Sequence, residues 1–427
     1  MKKLKRVLIV SPHFPPTNAA DSQRARMAIP YFERNNWQAE VLCIHPDCIS
    51  MAQDPWLLKT LPTRLKIHSV YAETAFRKLA AKSIGINSLW FRFGPAFDRR
   101  GTQLLASGNF DLVFFTTTQF PFMSLGVRWK KMFSVPYVLD YQDPWVNDYY
   151  LRTSTAPPGG WFRYLPQYIN AKRLEPQTVR QAGGIISVSP NYLLSLRKYN
   201  AHPVQKVLPF GAPIHDLSLL PDLFVETEKE SNPRKTWVYI GRGGPDLLLQ
   251  LKCFFRAIKT ILHKNNTPIN IKFIGTNYYG NSSSKKPIEQ LAIQCGLMGV
   301  VFEFPERVSY SEAIQQMKRA DVILIIGSND SAYSPSKIYP AMMCKRPLLA
   351  VGDSESKVHE FVRRFSAGEH FITDQPESTI AAIEWALNQD YRKPFTDINR
   401  EEFKQITAPA MTNRLCWVFD RAIENAS

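Results

Sequence analysis

The sequence predicts an α/β protein built from two Rossmann-like domains, and three observations carry that prediction. The chain has 427 residues, which is too long for one hydrophobic core. Short, unbroken apolar runs such as residues 322–326 and 348–351 are typical of strands buried in a parallel sheet. Helix-like segments alternate with such runs in both halves of the chain. The predicted parts are a first domain over residues 1–214, a polar and acidic linker over 215–234, a second domain over 235–407 and a terminal helix over 408–427 that crosses back to the first domain.

Composition is that of an ordinary globular protein, with 44% apolar and 12% aromatic residues. The six cysteines form no C-x-x-C pair, and the eight histidines form no cluster with metal spacing. We therefore expect free thiols in a reducing compartment and no bound metal. The apolar run at residues 7–10 is too short for a signal peptide, and no run approaches the roughly 20 residues of a membrane span. These features predict a cytoplasmic location.

The chain is basic, with 53 Lys and Arg against 37 Asp and Glu. The excess is larger in residues 1–230, which hold 28 basic and 17 acidic side chains. A basic half suits nucleic acid, an anionic membrane or a phosphorylated substrate, and charge alone does not choose among them. No recognisable RNA- or DNA-binding motif is present, so we do not expect a nucleic-acid partner.

The first domain opens with a βαβ pattern, in which a strand over residues 6–10 is followed by a polar loop, a helix over 23–35 and a strand over 41–44. The loop lacks G-x-G-x-x-G, so a dinucleotide site has no support. Asp21 and Arg24 lie between these two strands and are candidates for contacts with an acceptor or donor. The alternative is a helix cap and a surface charge.

Polar residues also follow a second buried strand, which is predicted to end at residue 139. Asp140, Gln142 and Asp143 come directly after it, at the carboxyl end where open α/β sheets bind ligands. Asp143 precedes a proline, and Asp-Pro is also common in turns. The aspartates are therefore either functional carboxylates or loop and cap residues.

The second domain opens with a strand over residues 236–240 that runs into glycines. Arg242 and Gly243 lie on this loop, where glycine lets the backbone approach a ligand closely. Further strands are predicted over residues 271–276 and 300–304. Ser309, three residues before Glu312, resembles a capping box and predicts a helix start.

The segment after the strand at residues 322–326 carries another helix-start signal. Ser334 is a predicted N-cap, Pro335 follows it, and Ser336 and Lys337 lie in the first turn. Free N–H groups, hydroxyls and a lysine at a helix start suit a diphosphate. The alternative is a simple cap with a solvated lysine.

Two strings resemble family 4 glycosyltransferases. SPSKIYPAMMCKRPLLAV, at residues 334–351, is similar to the family's donor-binding segment, and DYQDPW, at 140–145, is similar to its Asp-x-Arg-Asp-Pro-Trp variant. The resemblance implies the GT-B fold, in which two Rossmann-like domains face a cleft. The chain departs from the pattern at Pro340, where the family has a ribose-binding glutamate, and at Ala19 and Ala20, where the family has glycines.

What the resemblance implies is a retaining, metal-independent transfer of a sugar from a nucleotide-sugar donor, itself a substrate rather than a cofactor, to an acceptor hydroxyl. A role in cell-surface polysaccharide or glycolipid synthesis is expected. The alternative is a catalytically impaired binding or assembly subunit, which the departures at Pro340, Ala19 and Ala20 favour. The implied site residues are Asp143 and Asp140 for catalysis, Arg242, Gly243, Ser334, Ser336 and Lys337 for the donor diphosphate, Phe304 and Arg307 for the nucleotide, and Asp21, Arg24 and Gln142 for the acceptor side of the cleft.

Basic and apolar residues interleave over residues 76–82, 89–93 and 97–100. This pattern predicts that the first domain rests on an anionic membrane, where a lipid-linked acceptor is presented. The alternative is a pair of core-packed helices with a solvated basic face.

Overall fold

The structure is a computed structural model that describes residues 3–71, 89–153, 156–157, 160–199, 203–220, 234–265, 267–277, 286–328, 337–390, 395 and 398–426. The chain divides into two compact units. The first unit comprises Met1–Gly211 and Ala408–Ser427, and the second comprises Ala212–Thr407. Each unit is built on its own parallel sheet, which confirms the predicted α/β class.

The strands of the first unit are β1 (Lys5–Val10), β2 (Trp37–Ile44), β3 (Lys66–Val70), β4 (Leu112–Thr116), β5 (Tyr137–Tyr141), β6 (Gly184–Ser187) and β7 (Val204–Val207). The strands of the second unit are β8 (Lys235–Ile240), β9 (Ile269–Ile274), β10 (Val301–Phe304), β11 (Val322–Ile326), β12 (Leu348–Gly352) and β13 (Gly368–Ile372). The strands predicted from unbroken apolar runs, such as β11, are confirmed. All the residues of β11 are buried, as expected for a strand that is covered on both faces.

The described helices of the first unit are α1 (Gln23–Ala28), α2 (Leu89–Ala106), α3 (Leu125–Phe133), α4 (Tyr149–Thr153), α5 (Trp161–Gln181), α6 (Pro190–Leu196) and α16 (Ala408–Glu424). Those of the second unit are α7 (Ile214–Ser218), α8 (Pro245–Asn265), α9 (Pro287–Gln294), α10 (Tyr310–Lys318), α11 (Ile338–Met343), α12 (Lys357–Arg364), α13 (Pro376–Thr379), α14 (Ala381–Leu387) and α15 (Arg400–Gln405). Within the described ranges, no helix is long and apolar enough to cross a membrane.

The terminal helix α16 packs on the sheet of the first unit. Phe419 lies in the core there, with its ring centroid 5.2 Å from that of Trp37. Val418 approaches Gly184 so closely that a Cβ at this glycine would lie 2.9 Å from a Val418 methyl group. The absence of a side chain at residue 184 therefore lets the helix sit directly on β6.

The strand orders place one switch point in each sheet. The first sheet runs β3-β2-β1-β4-β5-β6-β7, so the chain turns from one side to the other between β1 and β4. The second sheet runs β10-β9-β8-β11-β12-β13, with its switch between β8 and β11. In open α/β sheets, ligands bind near such switch points, at the carboxyl ends of the strands.

Several local predictions differ from the structure. The helix predicted over residues 23–35 is α1 followed by two short 3-10 turns at Ile29–Tyr31 and Glu33–Asn35, since Pro30 lacks an N–H to donate. The predicted linker includes most of α7, which belongs to the second unit, and its residues 221–233 lie outside the described ranges.

The proposed membrane segment is also only partly described. Residues 76–82 lie outside the described ranges. Residues 89–100 belong to α2, in which Phe93 and Phe97 are fully buried in the core. These two rings therefore cannot enter a lipid surface, whereas Phe91 on the same helix is 41% exposed, and membrane docking of this segment stays a prediction.

Candidate functional site

The first unit carries a buried polar cluster at its switch point. Its members lie at or just after the carboxyl ends of β1, β4 and β5, three adjacent central strands, and so meet at one edge of the sheet. Asp140 lies within β5, which ends at Tyr141 rather than at the predicted residue 139. The side chains of the cluster are His13, Asp21, Arg24, Thr116, Thr117, Asp140 and Gln142, all buried. Asp143 stands beside the cluster.

The centre of the cluster is a His13–Asp21 dyad. The Nδ1 atom of His13 lies 3.0 Å and 3.1 Å from the two carboxylate oxygens of Asp21. The His13 side chain is 8% exposed, and its Nε2 atom has no partner among the described residues. A carboxylate at Nδ1 fixes the ring so that Nε2 can accept a proton.

The protein holds Asp21 as a carboxylate. Burial alone would raise its pKa, but hydrogen bonding and charge interaction with His13 oppose that effect. Thr117 donates from its hydroxyl at 3.0 Å, and the Thr118 backbone N–H donates at 3.2 Å. The net result is a pKa for Asp21 below its ordinary value. This charged form can stabilise a protonated His13.

Arg24 and Asp140 form a fully buried ion pair, with Arg24 Nε donating to Asp140 Oδ2 at 2.7 Å. Arg24 Nη2 also donates to the Leu208 carbonyl at 2.7 Å, and the guanidinium stacks over Phe210. Neither charged side chain reaches solvent, so both position the loops after β1, β5 and β7 in this structure. The sequence had suggested a ligand contact for Arg24 and a catalytic role for Asp140.

Gln142 is part of the same network. Its amide nitrogen donates to Asp140 Oδ2 at 2.8 Å, to the Asp21 carbonyl at 3.0 Å and to the Thr116 hydroxyl at 3.1 Å. The amide thereby links the loop after β5 to the loop after β1. Gln142 therefore positions these loops, and little of its side chain is accessible to a ligand.

Asp143 differs from the other predicted carboxylates because its side chain reaches solvent. Desolvation by surrounding protein and repulsion from the Asp21 charge raise the pKa of Asp143 to about 6. Solvent access to the side chain screens both effects. Asp143 is therefore an accessible carboxyl whose charge changes near neutral pH.

In the second unit, Arg242 follows β8, next to the switch point. Its two terminal nitrogens donate to the two oxygens of Asp246 at 2.9 Å and 2.7 Å. The Ser328 hydroxyl, which follows β11, also donates to Asp246 at 2.6 Å. Asp246 thus joins the loops after β8 and β11 and balances the charge of Arg242. The sequence analysis did not anticipate this carboxylate.

Lys337 and Arg307 supply positive charge at the same edge of the second sheet. Desolvation by nearby protein and repulsion from Arg307 lower the pKa of Lys337 to about 8. Lys337 is nevertheless exposed, so water screens part of the repulsion. Phe304, at the end of β10, is 48% exposed and offers an aromatic face.

The remaining predicted site residues have simpler outcomes. A Cβ at Gly243 would lie 3.1 Å from the Thr276 Cβ, so packing is tight at this glycine, and its contact with a diphosphate stays a prediction. Ser334 and Ser336 lie outside the described residues. The described helix starts at Ile338 with Lys337 as its N-cap, one turn later than predicted. At Ser309 the predicted cap is confirmed, since its hydroxyl accepts from the Glu312 N–H.

The structure was compared with known proteins. Sucrose-phosphate synthase from Thermosynechococcus elongatus aligns with a TM-score of 0.62 at 14% identity over 99% of this chain and 100% of that one. HepE from Anabaena, solved with UDP and glucose, gives 0.59 at 13% identity over 97% and 99%. This chain has the GT-B fold. The chain is also similar to UDP-GlcNAc 2-epimerase from Methanocaldococcus jannaschii, with a TM-score of 0.52 at 13% identity over 98% of this chain and 99% of that one.

No protein-family model and no curated protein sequence matches the chain. Structural likeness at such low identity establishes the GT-B fold alone, because this fold serves more than one reaction. The chemistry must therefore be argued from the site. His13 is the residue that sequence reasoning passed over, and its position directly after an apolar strand is the signal that points to it.

Proposed function

We propose that this GT-B protein is a glycosyltransferase that moves a sugar from a nucleotide-sugar donor to an acceptor hydroxyl. The observation that carries the proposal is the Lys337–Arg307 pair at the carboxyl edge of the second sheet. Burial and then repulsion from Arg307 lower the pKa of Lys337, and a bound anion near both side chains would favour the charged lysine. A nucleoside diphosphate is an anion of suitable charge, and the similar HepE structure contains UDP and glucose.

The leaving group of such a transfer is the nucleoside diphosphate. As the bond between the sugar and the diphosphate breaks, negative charge grows on the phosphate oxygens, and Lys337 and Arg307 stabilise it. Phe304 gives the nucleotide base a surface to stack on. Arg242, held by Asp246, supports the adjoining loop. In this proposal the cations replace a metal ion as the source of stabilising charge.

The first unit supplies the acceptor chemistry. Asp143, which is accessible and anionic above about pH 6, orients the acceptor or the sugar. With retention of configuration, as the resemblance implies, the acceptor proton passes to the departing phosphate on the same face of the sugar. Arg24, Asp140 and Gln142 keep the surrounding loops in place.

The His13–Asp21 dyad favours a second route, with inversion. Here His13 Nε2 takes the proton from the acceptor hydroxyl while the acceptor oxygen bonds to the anomeric carbon. The bond to the diphosphate breaks on the opposite face, and Asp21 stabilises the imidazolium. Product stereochemistry decides between the routes: with an α-linked donor, proton NMR of an α product indicates retention, whereas a β product indicates inversion.

The first experiment is a panel of nucleotide sugars assayed for acceptor-dependent release of nucleoside diphosphate. Release with a new glycoside supports the transferase. Conversion of UDP-GlcNAc into its epimer, detected by NMR, would instead indicate the reaction of the similar epimerase. Donor binding without any turnover would indicate the binding-subunit alternative. A polysaccharide or glycolipid acceptor is part of the proposal, and the panel includes glycan and lipid-linked acceptors.

The second experiment tests the donor site. Lys337→Ala removes one charge-assisted contact of roughly 1.5–3 kcal/mol, so UDP should bind about 10 to 150 times more weakly by calorimetry. Lys345→Ala is the matched control, since Lys345 is an exposed cation just after the same helix. Equal affinities in the two variants would show that the diphosphate does not use Lys337.

A further inference from the structure

We propose that helix α5 of the first unit docks on an anionic membrane surface through its outward face. One side of this helix packs into the core through Ala171 and Val179, which are buried. Three large apolar side chains nearer the start of the helix lie at spacings that place them on the other side. Their exposed fractions are 89% for Phe162, 41% for Leu165 and 65% for Ile169. A helix with apolar residues on both sides leaves one apolar surface exposed, and such a surface marks a binding site.

Neighbouring residues extend this face into a patch, which we call the α5 patch. Tyr149 and Leu151 of α4 are 49% and 41% exposed, and Trp161 is 38% exposed. Tyr164 fixes α4 to α5, because its hydroxyl donates to the Asn147 carbonyl at 2.5 Å and its ring contacts Tyr150 edge-on. The patch is therefore already assembled. Tyrosine and tryptophan at the rim suit the boundary between lipid headgroups and acyl chains.

The charge of this helix indicates which partner the α5 patch binds. Residues 149–174 contain four cations and no Asp or Glu. Arg152 pairs with Asp148 at 3.2 Å, which leaves Arg163, Lys172 and Arg173 as the charge of this face. Arg163, Lys172 and Arg173 are exposed along the same helix that carries the apolar face. A second copy of this chain would bring identical cations together across a symmetric contact, which is unfavourable. Anionic phospholipid headgroups offer the opposite charge, and the acyl boundary accepts the apolar side chains.

This surface differs from the segment that the sequence suggested, since Phe93 and Phe97 of α2 are core residues. It is also separate from the residues of the proposed function, and the inference does not depend on which reaction the protein catalyses. Donor binding should be unchanged in every variant of the α5 patch, and UDP-glucose affinity is measured alongside as a check on the fold.

The test is co-sedimentation of the full chain with vesicles of phosphatidylcholine alone or mixed with phosphatidylglycerol. We expect recovery with the mixed vesicles and little with neutral ones, falling as salt is raised. The variant F162S/I169S should bind at least about tenfold more weakly, because each side chain loses its burial in the lipid boundary. L249S/M298S is the control, since Leu249 and Met298 are equally exposed in the second unit.

A variant without the α5 cations distinguishes docking through the α5 patch from general attraction of a basic protein to anionic vesicles. R163Q/K172Q/R173Q should lower the partition coefficient about fivefold for each cation, or roughly a hundredfold in total. K252Q/R256Q/K259Q removes three exposed cations from α8 of the second unit and should change binding much less. Equal losses in the two triple variants, or equal binding of wild type to neutral vesicles, overturn the proposal. So does a concentration-dependent dimer in light scattering that F162S/I169S abolishes, which would assign the patch to a second copy.

Discussion

The buried Arg24–Asp140 pair gives the sharpest stability prediction for the first unit. Both side chains are completely buried, and the Arg24→Met substitution removes the ion pair and the hydrogen bond to the Leu208 carbonyl. Methionine fills much of the space of the arginine stem but carries no charge. Asp140 is then left as a buried carboxylate, although it keeps hydrogen bonds from Thr116 and Gln142.

Removing one partner of a buried ion pair typically costs about 3–5 kcal/mol, because the remaining charge has lost its compensation. The two hydrogen bonds that Asp140 retains place the expected loss at the lower end, about 3 kcal/mol. The urea midpoint of the first unit's transition, followed by circular dichroism, should fall accordingly. UDP affinity measured on the folded variant should change little.

Arg64→Met is the matched control. Arg64 pairs with Glu33 at the surface, with side chains 71% and 42% exposed, and such a pair contributes about 0–1 kcal/mol. The double variant Arg24→Met/Asp140→Leu should recover much of the lost stability, since it leaves no unpaired charge. Equal urea midpoints for the Arg24 and Arg64 variants, together with lost ligand binding only for Arg24→Met, would refute the structural role and return Arg24 to the binding site.

Three further predictions concern titrating groups. UDP affinity should fall as pH rises through about 8, where Lys337 loses its proton, whereas Lys337→Arg should hold its affinity to higher pH; calorimetry across this range checks both. Turnover should fall as pH drops through about 6, where Asp143 gains a proton, and Asp143→Asn should turn over slowly at every pH with unchanged UDP affinity. Burial and the nearby His359 lower the pKa of His370 to about 4. Between about pH 6.5 and 4, this histidine is therefore protonated in the unfolded chain but neutral in the folded chain. Stability should therefore decline as pH falls through that window, and urea midpoints should show a smaller decline for His370→Gln.

Local pattern was enough to predict the architecture. Residues 322–326 are five consecutive apolar residues, and a segment that is apolar on both faces fits only where both faces are covered. Ser309 is a helix cap because its hydroxyl reaches an N–H three residues ahead, an interaction that needs no distant partner. The alternation of such strands and helices predicted the α/β class and two Rossmann-like units, and the resemblance at residues 334–351 and 140–145 implied the GT-B fold.

Contacts between residues far apart in the sequence determine which side chains are paired, buried or exposed. Asp21 meets Thr117 from 96 residues away, and Arg24 meets Asp140 from 116 residues away, because β1, β4 and β5 are neighbours in the sheet. A charged residue on a short helix gives no local sign of whether it is solvated or paired in the interior. The same holds for apolar residues: Phe97 is buried and Phe162 is 89% exposed, although each lies on a helix among basic residues. Sequence spacing determines which face of a helix a side chain occupies, but only the packing of the whole unit determines what that face meets.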